Sequence, residues 1–317
     1  MKQKEYKIGS FRKFAGKNMV FLFIILSFTP MILVSAIILK QFEKSYHEKT
    51  YSHLEELVQK HKQHIDHFLK ERLANIKYLA KMSSFEDLSK EHYIALSLKA
   101  LQQNYDLVFE DMGLVNDRGL QIAYAGPLNL LHAQYGHASW FKEAIQKTQY
   151  VSDVFMGLRQ RPHFIVTVRN FQNGKPWVLR ATIDFEAFNR LVEGIRIGET
   201  GFAFILNQKG ELQTKSLQDR ISNVEFYLNL FKKTDETQNR VHIFERKDVS
   251  GRDCIYVATF LNNGEWLMVY QQLTSDAFRI LRQTERKAVL VLLAIGFCTL
   301  MIAIIFSVMM IRRISNS

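Results

Sequence analysis

YVSDVFMGLRQRPHFIVTVRNFQNGKPWVLRATIDF, residues 150–185, contains the dipeptide that decides the fold: Asn173-Gly174, set between two alternating apolar runs. Asn-Gly in that setting signals a two-residue hairpin turn, because both central residues must adopt φ > 0. Taking it as the turn pairs Gln172 with Lys175, and the register then sets Val168 opposite Leu179, Val166 opposite Ala181 and Phe164 opposite Ile183. That face is wholly apolar. The alternate positions set Thr167 opposite Arg180, Ile165 opposite Thr182 and His163 opposite Asp184, since successive side chains point to opposite sides. This second face is largely polar and carries a His163–Asp184 cross-strand pair.

A polar sheet face is solvated unless something covers it. Tyr135, Trp140, Phe141 and Tyr150 lie in segments able to fold over this one, and Asp153, Arg159 and Arg161 flank its mouth. Aromatic walls with a few fixed charges are what a small-molecule pocket is made of. The candidate ligand-binding residues are therefore Tyr135, Trp140, Phe141, Tyr150, Asp153, Arg159, His163, Thr167, Arg180, Thr182 and Asp184.

Downstream, GETGFAFILNQKGEL (residues 198–212) places two glycines three residues apart before an alternating run. A phosphate loop would need Gly-x-x-x-x-Gly-Lys-Ser/Thr or Gly-x-Gly-x-x-Gly, and neither spacing is present. The stretch reads instead as a hairpin, with Phe202, Phe204 and Leu206 on one face, a turn at 208–210 and a second, polar strand. Further strands are expected at 240–246, 254–261 and 266–272, with a turn at Asn262-Asn263-Gly264. Upstream, residues 107–115 and 120–125 form a hairpin around Asn116-Asp117-Arg118-Gly119, a helix lies near 139–147, and another spans 185–192. Residues 40–82 lack glycine and proline, and Leu54, Val58, His61, Ile65, Phe68, Arg72, Ile76 and Leu79 follow a three-four spacing, so a long amphipathic helix precedes everything. The fold class is α+β: a stalk helix at 40–82, then two tandem antiparallel-sheet modules at 83–197 and 198–274.

Residues 18–39 and 288–311 contain no charged residue, and each can cross a hydrocarbon core roughly 30 Å thick as a helix. Six basic residues and one acid precede the first span, and Arg312 and Arg313 follow the second. By the positive-inside rule the tails 1–17 and 312–317 are cytoplasmic and 40–287 lies outside, joined to the second span by an uninterrupted exit helix at 275–287. The first span is too long for a signal-peptide core and reads as an uncleaved anchor. The tails account for seven of the eleven net positive charges, so the basicity is a topology signal that excludes nucleic acid as the partner it would otherwise suggest. Cys254 and Cys298 fall in different compartments of the chain, which rules out an internal disulfide; Cys254 reads as a small buried apolar residue. His53, His61, His64 and His67 drift around the stalk helix with no completing Cys or carboxylate, so no metal site and no cofactor is expected. No motif positions a nucleophile beside His163 and Asp184, which leaves no catalytic residue.

On WF at 140–141, YVSDVFMGLRQRPHF at 150–164 and IGETGFAFILNQKGEL at 197–212, residues 40–287 resemble a double Cache sensor domain, the PAS-like extracytoplasmic module of bacterial transmembrane receptors, most like those of sensor histidine kinases. The resemblance implies a periplasmic, small-molecule-binding lobe on the inner membrane, a ligand site in the membrane-distal module, homodimerisation through the stalk helix and a cytoplasmic output module in cis or in trans. Members that bind amino acids carry an Arg two residues before the Trp-aromatic pair and an Asp in the last distal strand; the corresponding residues are Ala138 and Thr182. Arg159 and Arg180 with His163 suit a small carboxylate instead. As given, the chain is expected to sense and not to catalyse, either as the input part of a longer receptor or through association with another membrane protein. The competing reading is a ligand-independent anchored protein that contacts a periplasmic partner.

Overall fold

The computed structural model describes residues 2–215, 221, 224–232 and 240–315, with the side chains of residues 2–24, 27, 307 and 310–315 outside the description. The expected N-terminal tail, the first part of the span at 18–39, and Asn316 and Ser317 of the C-terminal stub therefore fall there. The chain divides into two compact units, Met1–Ser52 with Ala277–Ser317, and His53–Asp276.

Helix α1 covers Lys2–Met82, with Pro30 inside it. Helices α2 (Phe85–Leu88) and α3 (Glu91–Asn104) follow. Strands β1 (Phe109–Val115) and β2 (Gln121–Ala125), helix α4 (Ser139–Ala144), β3 (Gln149–Val151), β4 (Phe164–Gln172) and β5 (Lys175–Ile183) complete a first antiparallel sheet of order β2-β1-β5-β4-β3. Helix α5 (Phe185–Glu193) leads to β6 (Phe202–Asn207), helix α6 (Val224–Phe231), β7 (His242–Lys247), β8 (Asp253–Leu261) and β9 (Trp266–Leu273), whose sheet order is β6-β9-β8-β7. Helices α7 (Thr274–Ala277) and α8 (Arg279–Ser315) close the chain.

The β4–β5 ladder runs from Phe164↔Ile183 to Gln172↔Lys175, with Asn173 and Gly174 both at positive φ. It stops one residue short of the expected His163–Asp184 pair. His163 bridges Phe155 instead, while the Asp184 carboxylate caps α5 by accepting from Glu186 N at 3.0 Å. A helix start has unpaired N–H groups to satisfy, and that demand takes the aspartate.

The apolar face of this sheet is covered by α5 and the stalk part of α1. Phe188 lies 5.1 Å from Phe164 and 6.2 Å from Phe68, ring to ring, and Leu54, Val58, Ile65 and Ile76 are sealed. Arg72, on the same stripe, is accommodated because its guanidinium lies over the Tyr105 and Phe68 rings. Trp266 of β9 packs against both Phe164 and Phe188, so the two sheets share one aromatic joint.

Two expectations for the second sheet are corrected. After Asn207–Gly210 the described residues make a single bridge, Leu206↔Leu212, on the edge of β6 that β9 leaves open, rather than a full second hairpin strand. The exit helix is also interrupted, at Phe278, which separates α7 from α8. Within the unit that contains it, the Phe278 ring stacks 3.9 Å from His47 and is edged by Tyr51. Among the described residues one helical stretch, Arg279–Phe306, is long and apolar enough to cross a membrane.

The GETG loop does hold an anion, one supplied by the chain itself. Asp276 Oδ2 accepts from Glu199 N (2.8 Å), Thr200 N (3.0 Å), Thr200 Oγ1 (3.0 Å) and Gln272 Nε2 (3.0 Å). Gly198 has φ +68, and a Cβ there would come within 2.4 Å of that same oxygen, so no other residue fits. Burial pushes the Asp276 carboxyl up, but the Gln272, Thr200 and Glu199 bonds outweigh it and hold it below the ordinary carboxylate value. Asp276→Ala is expected to lower the unfolding free energy by about 1–3 kcal/mol, read from denaturant melts; an unmoved midpoint would show that the loop holds itself.

Candidate functional site

Residues 126–163 fold across the polar face of β1, β5 and β4. Tyr135, Trp140, Phe141 and Ala144 pack there with Val115, Ile165 and Val178 into a separate core beneath α4. The face that alternation marks as polar is thus roofed, and Asp111, Thr167, Arg180 and Thr182 are all buried. Under the roof lies a cavity of about 320 Å³ walled by Leu130, Tyr135, Trp140, Phe155, Leu158 and Ile165, with Arg159, His163 and Arg180 among its polar lining.

Arg180 is 3 % exposed and its donors are shared out. Nη1 donates to Asp111 Oδ1 (2.9 Å) and Thr182 Oγ1 (3.2 Å), Nε to Gln121 Oε1 (2.9 Å), and Nη2 to the Tyr135 hydroxyl (3.4 Å). The guanidinium needs the space left by Gly113: a Cβ there would come within 2.2 Å of Gln121 Oε1 and 3.2 Å of Arg180 Nε. Asp111 also accepts from Tyr124 OH (3.0 Å) and pairs with Arg159, which Glu110 holds as well. Arg161 donates to the same Glu110 carboxylate at 2.8 Å. Burial lowers both arginines, Arg159 to about 10, which leaves Arg159 charged at neutral pH. Neither Glu110 nor Asp111 lines the cavity; the acids stand behind the guanidiniums and hold them in place.

His163 is 5 % exposed, and its Nδ1 lies 2.9 Å from the Arg161 carbonyl oxygen, which fixes the proton there. Burial pulls its pKa down to about 4, with Arg159, Arg180 and Arg161 adding to the effect against the Arg161 carbonyl bond. The ring is neutral at pH 7.

Of the eleven candidates, Tyr135, Trp140, Arg159, His163 and Arg180 meet at the cavity, and Thr182 reaches it through Arg180. Phe141 points into the core beneath the roof. Thr167 donates to the Tyr150 carbonyl oxygen at 3.2 Å, closing the sheet edge, while the Tyr150 ring lies under the Lys147 ammonium. Asp153 turns away to the second sheet, where it accepts from Trp266 Nε1 (2.9 Å) and Asn207 Nδ2 (3.0 Å). Asp184 stays at its helix cap. Asp111, Glu110, Gln121, Phe155 and Leu158 were not among the candidates. The one available signal was an acid at an inward position of the apolar strand FEDMGLV.

The family model described as Cache domain (dCache_1) matches residues 42–281. The chain belongs to the Cache domain family. Among solved structures, the sensory domain of the Campylobacter jejuni chemoreceptor Tlp3 (CcmL) with isoleucine bound is similar at 15 % identity and TM-score 0.57, covering 74 % of this chain and 96 % of that one. The ligand-binding domain of Pseudomonas fluorescens chemoreceptor CtaA with L-isoleucine matches at 15 % identity and TM-score 0.55, covering 75 % and 98 %. The extracellular domain assigned to a histidine kinase, soHK1S-Z6, matches at 14 % identity and TM-score 0.55, also covering 75 % and 98 %. At such identities the likeness is one of fold. No curated protein matches the sequence.

The His163 geometry of this Cache domain fixes a pH dependence. The folded ring has a pKa of about 4 and the unfolded one about 6.5. Between those values the unfolded chain binds a proton that the native one refuses, so His163 makes stability rise with pH across about 4 to 6.5 and contributes no further loss below it. Melts of the protein and its His163→Gln variant should diverge in that window, with the variant losing less on acidification. Parallel curves would mean that His163 titrates normally.

Proposed function

We propose that this chain is a membrane-anchored extracytoplasmic signal-input protein that binds a small anionic molecule, a carboxylate, in the cavity of the first sheet and passes its occupancy to a cytoplasmic output in cis or in trans. The observation that carries the ligand reading is the ordering of charge: Arg159 and Arg180 face the cavity while their acids, Glu110 and Asp111, do not. A carboxylate entering there meets held donors in a site already paid for in desolvation. Membrane anchoring is supported by Arg279–Phe306 and by exposed Ile25, Leu26, Ile32, Leu33, Val34, Ile37 and Ile38 on α1; with the basic tails, these favour the reading of two spans with both tails inside. Exposed Tyr78 and Met82 at the end of α1 and Leu96 on α3 offer the surface for the pairing expected through the stalk helix.

The ligand reading is tested by melting the protein with and without a panel of small carboxylates, since a ligand that binds only the folded state raises its apparent stability. A member of the panel should raise the midpoint, and Ser139→Trp, which plants an indole at the cavity lining, should abolish the rise without lowering the unliganded midpoint. A rise that survives Ser139→Trp would place binding elsewhere. For topology, Asp117, exposed in the β1–β2 turn, is replaced by Cys. Whole cells should label it with a membrane-impermeant maleimide; labelling only after lysis would put the sensor lobe in the cytosol.

A further inference from the structure

The cavity chemistry goes further than a preference for anions, and the following rests on the reading of that cavity as the ligand site. We propose that it selects 2-hydroxy carboxylates bearing an apolar side chain over the matching 2-amino acids, with His163 as the residue that reads the hydroxyl.

The polar lining comprises Gln134, Ser139 and the Tyr135 hydroxyl with Arg159, Arg180 and His163, and its two guanidiniums and one imidazole divide between donors and an acceptor. Arg159 and Arg180 offer only donors, and a guanidinium has no acceptor to give. His163 supplies the acceptor. Its Nδ1 is committed to the Arg161 carbonyl at 2.9 Å, so Nε2 carries a lone pair. Among the described residues Nε2 makes no hydrogen bond, and it is not among the buried polar atoms sealed without a partner; it opens into the cavity that its ring lines. The low basicity of the buried ring keeps that lone pair free at neutral pH.

A ligand that satisfies this set carries an anion for the guanidiniums and, next to it, a donor for the imidazole nitrogen. A hydroxyl and an ammonium both donate. They differ in charge: the acids that could balance an ammonium, Glu110 and Asp111, do not line the cavity and are engaged by Arg159, Arg161 and Arg180. An ammonium would face the two guanidiniums that line the cavity, Arg159 and Arg180, across a poorly screening interior, with a neutral ring as its acceptor. A neutral hydroxyl makes the same hydrogen bond without that repulsion. The remaining walls, Leu130, Tyr135, Trp140, Leu158 and Ile165, enclose about 320 Å³, which gives an apolar side chain a place beyond the two polar groups.

The test uses three isosteric probes on the full-length protein in detergent: 2-hydroxy-4-methylpentanoate, leucine and 4-methylpentanoate, each titrated calorimetrically at pH 7. The hydroxy acid should bind about tenfold or more tighter than the acid lacking the hydroxyl, the effect of one hydrogen bond made by a group otherwise left unpaired, and leucine should bind most weakly. His163→Phe should erase the advantage of the hydroxyl while leaving the binding of 4-methylpentanoate in place, and His163→Gln, whose amide oxygen can accept, should restore part of it. Should His163→Phe fail to fold, the three titrations on the unaltered protein decide by themselves. If both organic acids bind equally, or leucine binds tightest, the hydroxyl reading is overturned and carboxylate sensing stands. If none of the three binds, carboxylate recognition falls with it.

Discussion

The first sheet is arranged around one almost wholly buried guanidinium. Arg180 sits mid-strand on β5 and is 3 % exposed, and a cation in that position is tolerable only when every donor has somewhere to go. Asp111 comes from β1, Gln121 from β2, Tyr135 from the roof, and Thr182 from two residues along β5 itself. One ion therefore ties together three strands and the covering segment. The glycine at 113 belongs to the same solution, because a methyl group there would collide with the pair. The cavity is what remains between a satisfied charge network and an aromatic lid.

That network also separates what could be read from the sequence from what could not. The hairpin register was legible from Gln172–Lys175 to Phe164–Ile183, though not to the His163–Asp184 pair beyond, because Asn173-Gly174 is a local signal and alternation does the rest. The stalk helix was legible for a similar reason, its spacing being carried by Leu54, Val58, Ile65 and Ile76. Asp111 was not, since its partner lies 69 positions away and the contact exists only once β1 has docked beside β5. Asp153 looked like a cavity residue from its place beside Tyr150, but a buried indole N–H on Trp266 needs an acceptor and takes it. The QKG turn points to a hairpin partner for β6, and the chain after it does return to the free edge of that strand, but only for the Leu206–Leu212 bridge; the full-length partner is β9, on the other edge. Helix α3 was passed over although Ile94, Leu98 and Leu101 repeat at helical spacing.

The two sheets are coupled through a short length of chain. Ser152 bonds the β4 backbone, Asp153 grips Trp266 and Asn207, Val154 N donates to Gln213, and Phe155 lines the cavity of the first sheet. Phe155 also borders a second cleft of about 560 Å³ beside Leu206 and Leu212 of the neighbouring sheet. Four consecutive residues thus touch the cavity wall on one side and the core of the second sheet on the other. The cavity wall and the second sheet are therefore joined by one short hydrogen-bonded segment.

The far end of that second sheet is fastened differently. At the GETG loop a lone carboxylate oxygen is the meeting point of four donors, and it belongs to the first helical turn after β9. Fastenings of this kind do not stretch. Shifting that turn away from β6 means evicting the oxygen from all four donors together, so small tugs are absorbed and only a large enough one gets through. The junction behaves as a detent, and a glycine with no room for a side chain is what lets it click shut.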